Sequence, residues 1–169
     1  MVKLKHAHAI IAGVLACGGV IVLAFFFFGE TPEERIRDRF ETLATVLSKD
    51  AGEADTKLLF VTQRLTGFFC DPCRIHTVTY DFRQELSPQE IAANIARLRK
   101  QSRHVNVSFH DVDVDLISET KATVHCTGYV DGSTGGETVR DAGEFRFKLT
   151  KTEGKWRICE VTEVEVLKK

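Results

Sequence analysis

Cys70-Asp71-Pro72-Cys73 is the densest cluster of reactive side chains in this chain of 169 residues. Two thiols three residues apart can cycle between dithiol and disulfide when a nearby positive charge or helix N-terminus stabilises the thiolate. In an oxidising compartment the same pair closes a structural bridge. Pro72 stiffens the turn between the two. The spacing therefore predicts a local Cys70–Cys73 disulfide that sets the direction of the chain and has no catalytic cycle. Cys126 and Cys159 fall on predicted strands that each neighbour the strand Gly143 to Thr150. A bridge between them would cross that strand and exceed disulfide reach, so both are expected as buried free thiols. A four-cysteine zinc site needs a second closely spaced pair, which the sequence lacks. No cofactor motif is present.

The second chemical candidate is a carboxylate on an apolar face. If Trp156 and Ile158 face inward, strict alternation carries Glu160, Thr162 and Val164 inward too. A carboxyl group there would have a raised pKa and could act as acid or base. A bulge near Cys159 would instead turn Glu160 outward. Tyr80 reaches the same hollow by parity and would serve as hydrogen-bond donor. His110 and Asp111 are further options. His125, Thr127 and Tyr129 share the opposite face of their strand. Asp111, Asp113 and Asp115 alternate on one strand edge without the glycine turn of a calcium loop, so they read as a solvated face.

Other features decide where these groups work. Ala9 to Phe28 is an unbroken apolar run. Twenty residues at about 1.5 Å per residue span about 30 Å, the thickness of a bilayer's hydrocarbon core. Lys3 and Lys5 precede the run, and Glu30, Glu33 and Glu34 follow it. The positive-inside rule places residues 1–8 in the cytoplasm, 9–29 across the membrane and 30–169 outside it. The expected location is the cell membrane, the inner one in a Gram-negative cell. A cleaved signal peptide has a shorter apolar core and an A-x-A-like site. Val14-Leu15-Ala16-Cys17 loosely resembles a lipobox, but cleavage before Cys17 would leave Val20 to Phe28 as a greasy stalk. A retained single span is the reading taken.

All 24 acidic residues but only 21 of the 23 basic ones follow the run, giving the remainder a formal charge of −3. That balance argues against a nucleic-acid surface, which needs a basic stripe. About 140 residues suffice for one core without staples. Gly132-Ser133-Thr134-Gly135-Gly136 lacks the lysine and following helix of a phosphate loop and reads as a hairpin turn.

Thr31-Pro32-Glu33-Glu34 opens a helix with a capping box and a proline at its first position. Ile36, Phe40, Leu43 and Leu47 then recur at helical spacing. A second helix is expected from about Ala51 to Leu65. Thr66 to Ile75 reads as a loop, and Val78, Tyr80 and Phe82 as a short strand. Ser87-Pro88-Gln89-Glu90 is a second capping box, with Leu86 and Ile91 placed as a hydrophobic staple. Ile91, Ile95 and Leu98 form the third helix's buried stripe. From His104 the period becomes two. Val105, Val107 and Phe109 alternate inward, then parity flips to Val112, Val114 and Leu116. One extra residue near His110-Asp111 keeps a single face buried, the mark of a β-bulge. Ala122 to Val130, Gly143 to Thr150 and Lys155 to Leu167 complete four antiparallel strands, the last entered through Glu153-Gly154.

This order, the bulge, and the ending Glu153-Gly154-Lys155-Trp156-Arg157-Ile158 resemble the nuclear transport factor 2-like superfamily, which includes SnoaL-like proteins and ketosteroid isomerase. The resemblance implies an α+β cone, with N-terminal helices packed on a strongly bent antiparallel sheet around a cavity for a small apolar ligand. It also implies that the face of His125, Thr127 and Tyr129 forms a homodimer. Some members are membrane-anchored assembly factors of secretion systems, and the architecture looks like theirs. Fold alone assigns no activity. The first expectation is therefore a membrane-anchored binding or scaffold module, a subunit of an envelope complex with a protein partner. The alternative is an isomerase or lyase using Glu160 as base and Tyr80 as donor. Cys-Asp-Pro-Cys is also similar to the thioredoxin-type Cys-x-Pro-Cys. Here, however, it follows a helix, and both other prolines, Pro32 and Pro88, are used at helix starts.

Overall fold

The computed structural model describes residues 30–164 apart from Asp55, Tyr80 and Gly135. The apolar run, and with it the expected span, lies outside the described residues. Among them no helix is long and apolar enough to cross a membrane. The chain divides into two compact units, residues 1–34 and 35–169. In the first, Thr31 and Glu34 close the expected capping box. The Thr31 N–H donates to Glu34 Oε2 at 2.7 Å, and the Glu34 N–H to Thr31 Oγ1 at 3.2 Å.

The described elements run α1 (Pro32–Leu47), α2 (Thr56–Thr66), β1 (Phe69–Thr77), β2 (Phe82–Leu86), α3 (Pro88–Gln101), β3 (Ser102–Ser118), β4 (Lys121–Thr134), β5 (Glu137–Thr152) and β6 (Lys155–Val164). One six-stranded sheet takes the order β2-β1-β6-β5-β4-β3. β3 to β6 are antiparallel as expected. β1 lies parallel to β6, so the sheet is mixed and not wholly antiparallel. The expected loop at Thr66 to Ile75 is largely strand β1, and of the expected strand Val78 to Phe82, Val78, Thr79 and Asp81 lie in the turn of a β1–β2 hairpin.

Apolar residues recur every third or fourth place along α1, burying Ile36, Phe40, Leu43 and Val46 against the sheet. Phe40, Phe109 and Phe147 meet edge to face, with centroids 4.9–6.0 Å apart, the geometry aromatic quadrupoles favour. α3 begins with the predicted capping box. The Ser87 N–H donates to Glu90 Oε2 at 2.8 Å, and the Glu90 N–H to Ser87 Oγ at 3.3 Å. The Ser87 N–H and, after it, the Ser87 hydroxyl, which donates to the same Oε2 at 2.7 Å, hold the exposed Glu90 carboxyl below the usual range.

The predicted bulge is in place. Between His110 and Asp113 β3 carries one more residue than β4 does between Thr127 and His125, and Asp111 sits at φ 52°. The bulge resets parity so that Val112 and Val114 still pack on the core. The Arg37 guanidinium donates to the Val112 carbonyl at 3.2 Å, tying α1 to the bend.

Candidate functional site

α1, α3 and the concave face of the sheet enclose a cavity of about 390 Å³. Its walls are Leu47 from α1, Ile95 and Leu98 from α3, Val105, Val107 and Phe109 from β3, Phe145 and Phe147 from β5, and Val161 from β6. The room comes from two glycines directly opposed across β4 and β5, Gly128 and Gly143. A Cβ on Gly128 would lie 3.0 Å from the Phe145 ring, and one on Gly143 3.3 Å. The ring therefore lies over bare backbone. Leu98, expected in the buried stripe, is 61% exposed at the cavity's edge. α3 thus covers the cavity incompletely at that point.

The polar part of the wall is small. Glu163 of β6 lines the cavity beside Thr79. The Thr79 N–H donates to Glu163 Oε2 at 3.0 Å, and its hydroxyl donates to Oε1. These hydrogen bonds, the hydroxyl's first, hold the Glu163 carboxyl below the usual carboxylate range against a smaller opposing effect of burial. A carboxylate has about four acceptor positions, and Thr79 occupies two. Asp141 stands on the same wall.

Arg99 is the one cation lining the cavity among the described residues. Its two terminal nitrogens are committed elsewhere, while Nε has no hydrogen-bond partner among the described residues. Nη1 donates to the carbonyls of Val46 at 3.1 Å, Leu47 at 3.0 Å and Ser48, and Nη2 pairs with Glu53. Arg99 therefore satisfies the open carbonyls at the C-terminus of α1, where positive charge is favoured. Lys49 returns the arrangement, donating to the carbonyls of Arg99 and Ser102 at the end of α3 at 2.7 and 2.8 Å.

The expected base is on the other side of the sheet. Lys148 pairs with Glu160 and Leu149 with Ile158, so Cys159 is an extra residue in β6. This bulge keeps Trp156 and Ile158 buried but turns Glu160 outward, and it brings Val161 and Glu163 inward. Glu160 sits in a cross-strand row of alternating charge, Glu85, Arg74, Glu160, Lys148. It bonds Lys148 at 2.7 Å and Arg74 at 3.0 Å. The Lys148 hydrogen bond leads in lowering its pKa, the reverse of the raised value expected on an apolar face. Tyr80 lies outside the described residues. His110 is on the outer face, edge-on to Tyr129 with centroids 5.0 Å apart. His125 and Tyr129 are exposed on β4 and Thr127 is half-buried. Asp111, Asp113 and Asp115 are exposed.

Glu163 is the cavity-wall candidate that alternation missed. Its signal was the possible bulge at Cys159, which moves the inward set from Glu160 and Thr162 to Val161 and Glu163.

The expected Cys70–Cys73 disulfide is corrected. Cys70 bonds Cys159, across a sequence separation of 89 and a Cα–Cα distance of 4.8 Å, within ordinary disulfide reach. The parallel pairing of β1 with β6 makes this possible, because Phe69 stands opposite Ile158. Cys73 and Cys126 are the buried free thiols. Burial pushes both up to about 12. Exchange chemistry needs a thiolate, so Cys73 has no attacking form near neutrality.

The model of the SnoaL-like domain family matches residues 72–162. No match is found among curated proteins. Three of the similar solved structures are distant in sequence. The Kfla4162 protein from Kribbella flavida is 15% identical, with a TM-score of 0.61 over 77% of this chain and 87% of that one. A proposed scytalone dehydratase from Novosphingobium aromaticivorans is 14% identical, with a TM-score of 0.55 over 66% and 81%. A type 2 hexachlorocyclohexane dehydrochlorinase (LinA) is 13% identical, with a TM-score of 0.59 over 77% and 82%. At these identities the likeness is one of fold.

Proposed function

We propose, from the premise that the chain belongs to the SnoaL-like domain family, that it is a small-molecule enzyme of the isomerase or lyase type. The observation that carries this reading is the Glu163 carboxylate, fixed by Thr79 on the wall of a largely apolar cavity. A positioned carboxylate next to a water-poor pocket can take a proton from carbon. The proton passes to a Glu163 oxygen and the C–H electron pair becomes a new C=C bond. A leaving group departs from the adjacent carbon with its own pair, or the system is reprotonated elsewhere. Two of the similar structures bear names that denote eliminations, of water and of hydrogen chloride, which supports the lyase form. A carboxylate held below its usual range is a weak base, so the substrate must carry an electron sink beside the acidic carbon.

The test is solvent hydrogen exchange. Cyclic and aryl ketones are incubated with the protein in D₂O, and loss of their α-proton signals is followed by NMR. The expected result is exchange with the natural chain and none above background with Glu163→Gln. Binding of the ketones without exchange would move the assignment to a binding module.

The second reading is a membrane-tethered extracytoplasmic binding or scaffold module, anchored through residues 9–29. The Cys70–Cys159 disulfide favours it, since such bridges persist in oxidising compartments. The outer face of β4, with His125, Thr127 and Tyr129, would be its contact surface for a second copy or another protein. Gentle membrane solubilisation followed by sizing tests it. Recovery only as a monomer, or in the soluble fraction, counts against it.

A further inference from the structure

We propose that the molecule this cavity takes carries a protonated amine, seated among the aromatic rings at the end that faces Glu163. The inference rests on the cavity's being the ligand site and adds the class of ligand.

The argument is one of charge and shape. Two carboxylates, Glu163 and Asp141, stand on the wall. The one described cation there, Arg99, is 3% exposed; its two terminal nitrogens are spent on three backbone carbonyls and Glu53, and Nε has no hydrogen-bond partner among the described residues. An anionic ligand would therefore meet the like charge of both carboxylates. A neutral apolar ligand would strip water from Glu163 and leave the charge uncompensated. A cation removes that penalty, because Glu163 keeps acceptor capacity beyond the bonds it takes from Thr79 and the Val78 backbone. Phe109, Phe145 and Phe147 also border the space, and aromatic faces attract ammonium groups. A carboxylate beside several aromatic rings is a cation-recognising combination. The lowered pKa of Glu163 keeps it ionised across the range where amines are protonated.

Three naphthalene probes of similar size isolate the charge: 2-naphthylmethylamine, 2-naphthylmethanol and 2-naphthoate. Each is titrated calorimetrically into the purified full-length chain at neutral pH and physiological salt. The amine is expected to bind at least about tenfold more tightly than the alcohol, the scale of one charge-assisted hydrogen bond. Naphthoate is expected to bind most weakly. Glu163→Gln should bring the amine down to the alcohol's affinity while the alcohol stays within about twofold, which also reports an intact cavity. Phe145→Leu should weaken the amine more than the alcohol. The proposal is overturned if naphthoate matches the amine, if no probe binds, or if the amine keeps its advantage in Glu163→Gln. Amine selectivity without hydrogen exchange would reject the enzyme and keep this inference. Exchange by a protein indifferent to ligand charge would do the reverse.

Discussion

Thr79 and Glu163 form a two-point hydrogen-bonded pair that joins the β1–β2 turn to β6 at the cavity wall. The pair holds Glu163 ionised and fixes its direction. Thr79→Val removes the hydroxyl and leaves the backbone N–H. The Glu163 pKa should then rise toward the ordinary glutamate value of about 4.3, read by NMR titration of its side-chain carboxyl carbon. The linkage has a definite sign. A carboxyl depressed on folding contributes stability above its unfolded pKa and loses it as pH falls through the folded value. The natural chain should therefore lose this contribution only below about pH 4, and Thr79→Val should show a smaller acid-dependent loss. An unchanged Glu163 titration would mean that the hydroxyl does not set the pKa.

Gly128 and Gly143 face each other across β4 and β5 beneath the Phe145 ring. In Gly128→Ala the new Cβ lies 3.0 Å from that ring, so the ring must move into the cavity. The expected cost is about 1–3 kcal/mol of stability, the range for overpacking. Probe binding should fall further than stability does, because the displaced ring takes the ligand's volume. Calorimetric binding and chemical denaturation of the same variant separate the two effects. Binding at the natural affinity would show that the ring has another place to go.

Local chemistry was legible in the sequence, and non-local pairing was not. Both capping boxes form as their residue types require, and the parity flip at His110-Asp111 located a real bulge. Phe69–Thr77 hid its strand because Asp71, Pro72 and two cysteines break any alternation. Its parallel partner β6 is some ninety residues away, beyond what local pattern can report. That omission displaced the disulfide, since Cys70 meets Cys159 only when β1 lies beside β6. The bulge at Cys159, which the sequence offered only as the alternative to strict alternation, exchanged Glu160 for Glu163. Leu98 kept helical spacing with Ile91 and Ile95 but opens onto a cavity, which periodicity cannot distinguish from a core.

The cysteine pairing has its own measurement. Denaturing the protein without reductant should expose Cys73 and Cys126 to an alkylating reagent, while Cys70 and Cys159 stay protected until reduction. Peptide mapping should find the Cys70–Cys159 cross-link. The bridge closes a long loop, for which chain entropy predicts about 4–5 kcal/mol. Cys70→Ser should therefore unfold at clearly lower denaturant than Cys73→Ser. Equal loss in both, or a Cys70–Cys73 peptide, would contradict the parallel β1–β6 arrangement.

Arg99 and Lys49 cap each other's helices, and Arg99 is the costlier to lose. Its guanidinium is almost fully buried and serves the final carbonyls of α1, while its ion-pair partner Glu53 is 9% exposed. Arg99→Ala removes the positive charge but leaves the carboxylate and the carbonyls behind. Breaking a buried pair from one side typically costs about 3–5 kcal/mol, because the remaining charge is uncompensated. Replacing both partners with apolar groups of similar size removes that charge as well. Arg99→Met with Glu53→Leu should thus recover much of the loss, short of the helix-end carbonyls that stay open. Lys49→Met should cost less, since its ammonium serves two carbonyls and is not part of a buried ion pair. Denaturant titrations of the three variants give the order directly. A double variant no more stable than Arg99→Ala would place the whole cost on the end of α1 and none on Glu53.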